Sequence, residues 1–112
     1  MKGQALKGHL DMLVLAVLAD GPRHGYSVIE ELRHRSGEVF DLPEGTVYPV
    51  LRRLEGAGLL ASDWEEVAGR RRRTYRLTDR GAGALAEERS AWEGFAAAVG
   101  SVLGGAPWPS PA

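Results

Sequence analysis

The chain contains no cysteine, which excludes both a disulfide framework and a thiolate metal site. It also lacks a long hydrophobic run. The apolar stretch from Met12 to Ala19 is short and is preceded by Asp11, so it reads as neither a signal peptide nor a membrane span, despite Lys2 and Lys7 ahead of it. A cytoplasmic protein with no membrane contact is expected. There is no glycine-rich phosphate loop, because Gly81 and Gly83 fall at a helix start and make no nucleotide fingerprint. His9, His24 and His34 have no metal-ligand spacing, and Ser27 has no positioned base near it in sequence. Asp63 and Glu65 share a strand face as solvated charge rather than as an acid–base pair. No internal repeat is evident. Neither an enzyme nor a cofactor is expected.

The net charge is −1, which would argue against nucleic acid if charge were spread evenly. It is not: Arg70 to Arg76 holds five arginines and no acid. The acids collect at Glu38, Asp41 and Glu44, at Asp63, Glu65 and Glu66, and at Glu87, Glu88 and Glu93. Local clustering, more than the total, steers a polyanion.

Helical spacing of Leu6, Leu10, Leu13, Val14, Val17 and Leu18 predicts a first helix from about Gln4 to Ala19, ended by Asp20-Gly21-Pro22. Apolar nearly all round, it fits burial on two sides, one of them a partner chain. A second helix runs from about Gly25 to Arg35 with Tyr26, Val28, Ile29 and Leu32 inward, and Ser36-Gly37 stops it. The third begins near Pro43, with Glu44 favourable to its dipole and Val47, Val50, Leu51 and Leu54 inside. Gly58-Leu59 reads as its left-handed C-cap. Strands are expected over Leu60 to Val67 and Thr74 to Thr78, joined by Ala68-Gly69 and the arginines, with Trp64, Tyr75 and Leu77 toward the core. Thr78 then caps a fourth helix reaching about Leu103.

A helix able to enter a groove, followed at once by a basic hairpin, is the order of parts in a helix-turn-helix with a wing. Thr46, Tyr48 and Pro49 would lead the recognition surface. Pro49 inside a helix would normally cost about 3 kcal/mol, but only the bond to Gly45 near the helix end is lost. Arg70, Arg71, Arg72 and Arg73 would reach phosphates or the minor groove, with alternation turning at least one away. Leu85, Glu88, Trp92, Phe95, Val99 and Val102 form a heptad seam. Its two readings are a homodimer interface, setting recognition helices about 34 Å apart, and packing on its own domain. Trp92 is either a core residue or, with Phe95 and Glu88, the flat wall of an effector pocket between subunits. The fold class is thus α+β, mainly α: a winged helix-turn-helix domain over 1–78, a C-terminal dimerisation helix over 79–103, and a flexible tail over 104–112.

Gly21-Pro22 with His24-Gly25-Tyr26, the run Glu44 to Glu55 (EGTVYPVLRRLE), Gly58-Leu59-Leu60 and Arg73 to Gly81 (RTYRLTDRG) together make the chain resemble PadR-type transcriptional regulators, in their short form with one C-terminal helix. The resemblance spans about Leu6 to Leu103. It implies a dimeric winged helix, usually a repressor, on an inverted repeat in double-stranded DNA. It also implies a phosphate contact at Tyr26 and a recognition surface of Thr46, Tyr48, Pro49 and Arg52. Some relatives bind phenolic acids or flat hydrophobic drugs, so a small aromatic or hydrophobic ligand near Trp92 is a further expectation. With the long effector domain missing, that ligand would sit in the dimer interface. Two other readings stay open: a winged-helix module that docks on protein, and a drug-binding protein with no DNA regulation.

Overall fold

The computed structural model describes Leu6 and residues 8–104. Its elements are α1 (Leu10–Leu18), β1 (Arg23–His24), α2 (Gly25–Arg35), α3 (Glu44–Gly56), β2 (Leu60–Val67), β3 (Arg70–Leu77) and α4 (Asp79–Leu103). The strands form one antiparallel sheet in the order β1-β3-β2. This is a winged helix followed by a long C-terminal helix. The expected start of the first helix at Gln4, and the expected tail beyond residue 104, lie outside the described residues. A turn at Gly8-His9 separates helical, buried Leu6 from α1, so the first helix is shorter than its apolar spacing predicts.

Three helices close around one core. Val14, Leu15, Val17 and Leu18 of α1 meet Val28 and Leu32 of α2, Val47, Leu51 and Leu54 of α3, and Leu60 and Tyr75 of the sheet. The inner stripe of α2 is Gly25, Val28 and Leu32. Tyr26 therefore turns outward and is exposed, contrary to the expectation that it faces the core. Glycine takes the inner place on the first turn, and the next residue is rotated about 100° away on a helix of 3.6 residues per turn.

Caps fix how the elements join. Gly58, at φ 80, ends α3 in a Schellman arrangement: its N–H reaches Glu55 O at 3.0 Å, and the Leu59 N–H reaches Leu54 O at 3.0 Å. Thr78 then clasps α4 to that corner, donating its hydroxyl to Gly58 O at 2.7 Å and accepting from the Gly81 N–H at 3.0 Å. No side chain fits at Gly81, where a Cβ would fall 2.1 Å from Leu59 O.

The hairpin differs from its expected form. β3 begins at Arg70, so the four arginines are strand residues paired with Val67, Glu66, Glu65 and Trp64, and the turn is Ala68-Gly69 alone. Both turn residues have positive φ, 52° and 77°, as a two-residue type I′ hairpin requires. Trp64 shares the sheet side of Leu60, Tyr75 and Leu77 yet is 55% exposed, against the expected burial. The hairpin outruns the body at that point, so the core side of the sheet has no core left to meet.

Candidate nucleic-acid interface

The start of α2, the outer side of α3 and the hairpin come together on one part of the molecule. β1 does the joining: Arg23 pairs with Tyr75 and His24 with Thr74, which sets the first turn of α2 against the root of the wing. His24 caps α2, its Nδ1 accepting from the Ser27 N–H at 3.4 Å. Burial, and then the Arg72 guanidinium, hold its imidazole below the ordinary value of 6.5, against the opposing pull of Glu30 and Glu65. The neutral ring keeps its lone pair for the cap.

Of the expected recognition residues, Pro49 and Arg52 are exposed and Thr46 is half-buried. Pro49 offers no N–H to Gly45, yet α3 runs unbroken from Glu44 to Gly56, and the residue that loses the bond is itself exposed, near the helix start. Tyr48 is half-buried because its ring lies over the backbone of Gly25. Burial, then Glu44, Tyr75 and Tyr26, push its phenol above the ordinary 10.0, so the hydroxyl stays a neutral donor. The two arginines of α3 separate. Arg53 is held by Asp11 of α1 through two hydrogen bonds, at 2.6 and 3.0 Å, while Arg52 has no ion pair among the described residues.

The wing arginines also differ from one another. Arg72 faces Glu65 at 3.7 Å, and Arg76 faces Asp63 at 3.6 Å. Arg73 donates from Nε to Ser62 Oγ at 2.7 Å and lies 3.9 Å from the Glu55 carboxylate of α3. Among the described residues Arg70 and Arg71 have no acidic partner. The hairpin is thus basic at its tip and largely compensated at its root.

α4 leaves the body after one buried stretch. Leu85, expected in the dimer seam, is 7% exposed and belongs to the chain's own core. Beyond it Glu88, Trp92, Phe95, Val99 and Val102 are all exposed, Val102 to 86%. Trp92 meets His9 edge-on at 5.1 Å and Phe95 at 6.0 Å. His9, Met12, Glu88, Trp92 and Phe95 line an open hollow of about 210 Å³ between the N-terminal end of α1 and α4. Sequence reasoning missed His9 and Met12 there, since only the crossing of the two helices brings them to Trp92.

The sequence model described as the transcriptional regulator PadR-like family matches residues 14–87. The chain belongs to that family. It is 42% identical over 92 residues to the transcriptional regulator Rv3488 of Mycobacterium tuberculosis, covering 82% of this chain and 80% of that protein. A PadR family transcriptional regulator from Eggerthella lenta has a similar solved structure, with a TM-score of 0.80 at 36% identity, covering 90% of this chain and 87% of the other. A transcriptional regulator from Clostridium thermocellum superposes with a TM-score of 0.82 at 26% identity, covering 90% and 96%.

PadR-like proteins are transcriptional regulators and not enzymes. The matched span of 14–87 runs from α1 through the wing into the buried start of α4. Most of the exposed part of α4 lies beyond it. Among the described residues no helix is long and apolar enough to cross a membrane.

Proposed function

We propose that this PadR-like regulator is a homodimeric repressor that binds an inverted repeat in double-stranded DNA. The observation that carries the reading is the coincidence of an outward α3 surface (Thr46, Pro49 and Arg52) with a basic hairpin tip, where Arg52, Arg70 and Arg71 have no acidic partner among the described residues. α3 would supply register and base choice from the major groove, and the wing would supply salt-dependent affinity. Tyr26, exposed at the start of α2, and the neutral Tyr48 hydroxyl would add phosphate or base-edge contacts.

Dimerisation rests on the outer part of α4. Phe95, Val99 and Val102 hold an apolar strip in water that a second α4 would cover. The hollow beside Trp92 would then lie next to the partner helix and accept a small planar aromatic ligand. That ligand would shift the spacing of the two recognition helices, and a coupling of about 1–3 kcal/mol is enough to change occupancy.

A gel shift on DNA from upstream of the chain's own gene, across a salt series and with or without planar aromatics, tests the whole reading. Retarded DNA at low salt, with affinity falling steeply as salt rises, is expected. No complex at low salt would move the reading to a winged-helix module that docks on protein. Quenching of Trp92 by aromatics at constant DNA affinity would make the hollow a binding site without regulatory output.

A further inference from the structure

We propose that Trp64 is the positioning residue of the wing, holding the Arg71 guanidinium on its indole face so that Arg71 meets a DNA phosphate already oriented. The proposal rests on the DNA-binding reading above and deepens it.

Trp64 is an indole left in water on a hairpin that has no core to cover it. It is not without company. The Arg71 guanidinium carbon lies 4.7 Å from the ring centroid and that of Arg73 lies 5.0 Å from it, both within the roughly 6 Å range of a cation–π contact. The strand register accounts for the meeting: Trp64 pairs directly with Arg73, and Arg71 is two residues before it, so alternation puts all three side chains on one face.

The two arginines on that ring have different fates. Arg73 is also bound to Ser62 and Glu55, and Ser62 in turn donates to Glu55, so its charge is balanced and it ties the wing to α3. Arg71 has no carboxylate partner among the described residues, although Glu66 is its cross-strand neighbour. Arg72 points to the other face and is paired with Glu65. Arg70 has neither an ion pair nor a ring contact among the described residues. Among the described residues, Arg71 is the wing arginine that is both uncompensated and held.

That combination suits a phosphate contact. A guanidinium held over a ring by its charge spends no N–H···O hydrogen bond on a carboxylate, so those donors stay available to a bidentate anion. Stacking leaves the formal charge intact, so release of counterions from DNA is not forfeited, as it would be in a pair with Glu66. Ordering the long side chain in advance removes part of the entropy lost on binding.

The test measures binding of a random-sequence duplex across a salt series for the wild type, Trp64→Leu, Trp64→Phe, Arg71→Ala and the double variant Trp64→Leu/Arg71→Ala. Trp64→Leu keeps apolar bulk and removes the aromatic face, and thermal unfolding confirms that each chain is folded. Trp64→Leu should weaken binding by about two- to fivefold, and Trp64→Phe should restore most of that. Arg71→Ala should lower the salt slope by about one per chain, and the double variant should bind no more weakly than Arg71→Ala. If Trp64→Leu binds like the wild type, or weakens the Arg71→Ala chain by the same factor again, Trp64 does not act through Arg71 and the proposal is overturned. A wild-type chain that leaves DNA unbound at low salt instead removes the DNA-binding reading, and this proposal with it.

Discussion

The ring of Tyr48 occupies the space that a side chain on Gly25 would need. A Cβ at Gly25 would lie 2.3 Å from Tyr48 Cε1 and 2.9 Å from Cζ. A residue on α3 is thus aimed by the absence of atoms on the helix before it.

Gly25→Ala should displace Tyr48 without unfolding the protein. The ring is half-buried and can swing toward solvent, so the stability loss should stay within about 1–2 kcal/mol. Discrimination between the chain's own upstream DNA and random DNA should fall as far as it does in Tyr48→Ala. Gel shifts on both DNAs check this, and unchanged discrimination would mean that DNA does not read the placement of Tyr48.

Ala68→Asn should stabilise the hairpin. Ala68 sits at φ 52°, where a Cβ is unfavourable, and asparagine followed by glycine is the preferred type I′ pair. A gain of about 0.5–1 kcal/mol is expected in denaturant unfolding. A loss would show that Ala68 makes a contact worth more than the backbone strain.

Acid should weaken the cap of α2. The pKa of His24 is lowered in the folded chain, so its contribution is present above the unfolded value of 6.5 and is lost as pH falls through the lower, folded value. A protonated Nδ1 cannot accept from Ser27. The wild-type melting temperature should therefore fall on acidification below pH 6.5 more steeply than that of His24→Asn, which caps without titrating. Parallel profiles for the two chains would remove His24 from the pH response.

Phe95→Glu together with Val99→Glu should give monomers in analytical ultracentrifugation, because both exposed apolar side chains lie on the part of α4 that leaves the body. DNA affinity should drop with it, since each half-site would then bind alone. A persistent dimer would place the interface elsewhere.

The bodies of the helices, the corner at Gly58 and the Thr78 cap are legible from spacing and residue type, whereas the break before α1 and the outward turn of Tyr26 are not. What escapes is depth and neighbourhood. Alternation puts Trp64 on the core side of the sheet but says nothing of where the body ends. The run Arg70 to Arg73 has no alternation to mark it as strand, and β1 is too short to show any. The burial of Tyr48 depends on Gly25, and the place of His9 depends on Trp92, pairings made only by the crossing of helices distant in sequence. The residues of the candidate interface can therefore be named from sequence. Their division into paired and unpaired charges cannot, because Glu55, Glu65 and Asp11 take their arginines through tertiary geometry.

On the dimer proposed above, the exposed outer stretch of α4 would make the amount of protein a thermodynamic variable. If a second copy covers that strip, the folded state is favoured by mass action, and no single melting temperature belongs to the chain. A cell that makes more of this regulator would then also make each copy harder to unfold, and a diluted one would lose its grip on DNA and its resistance to proteolysis together.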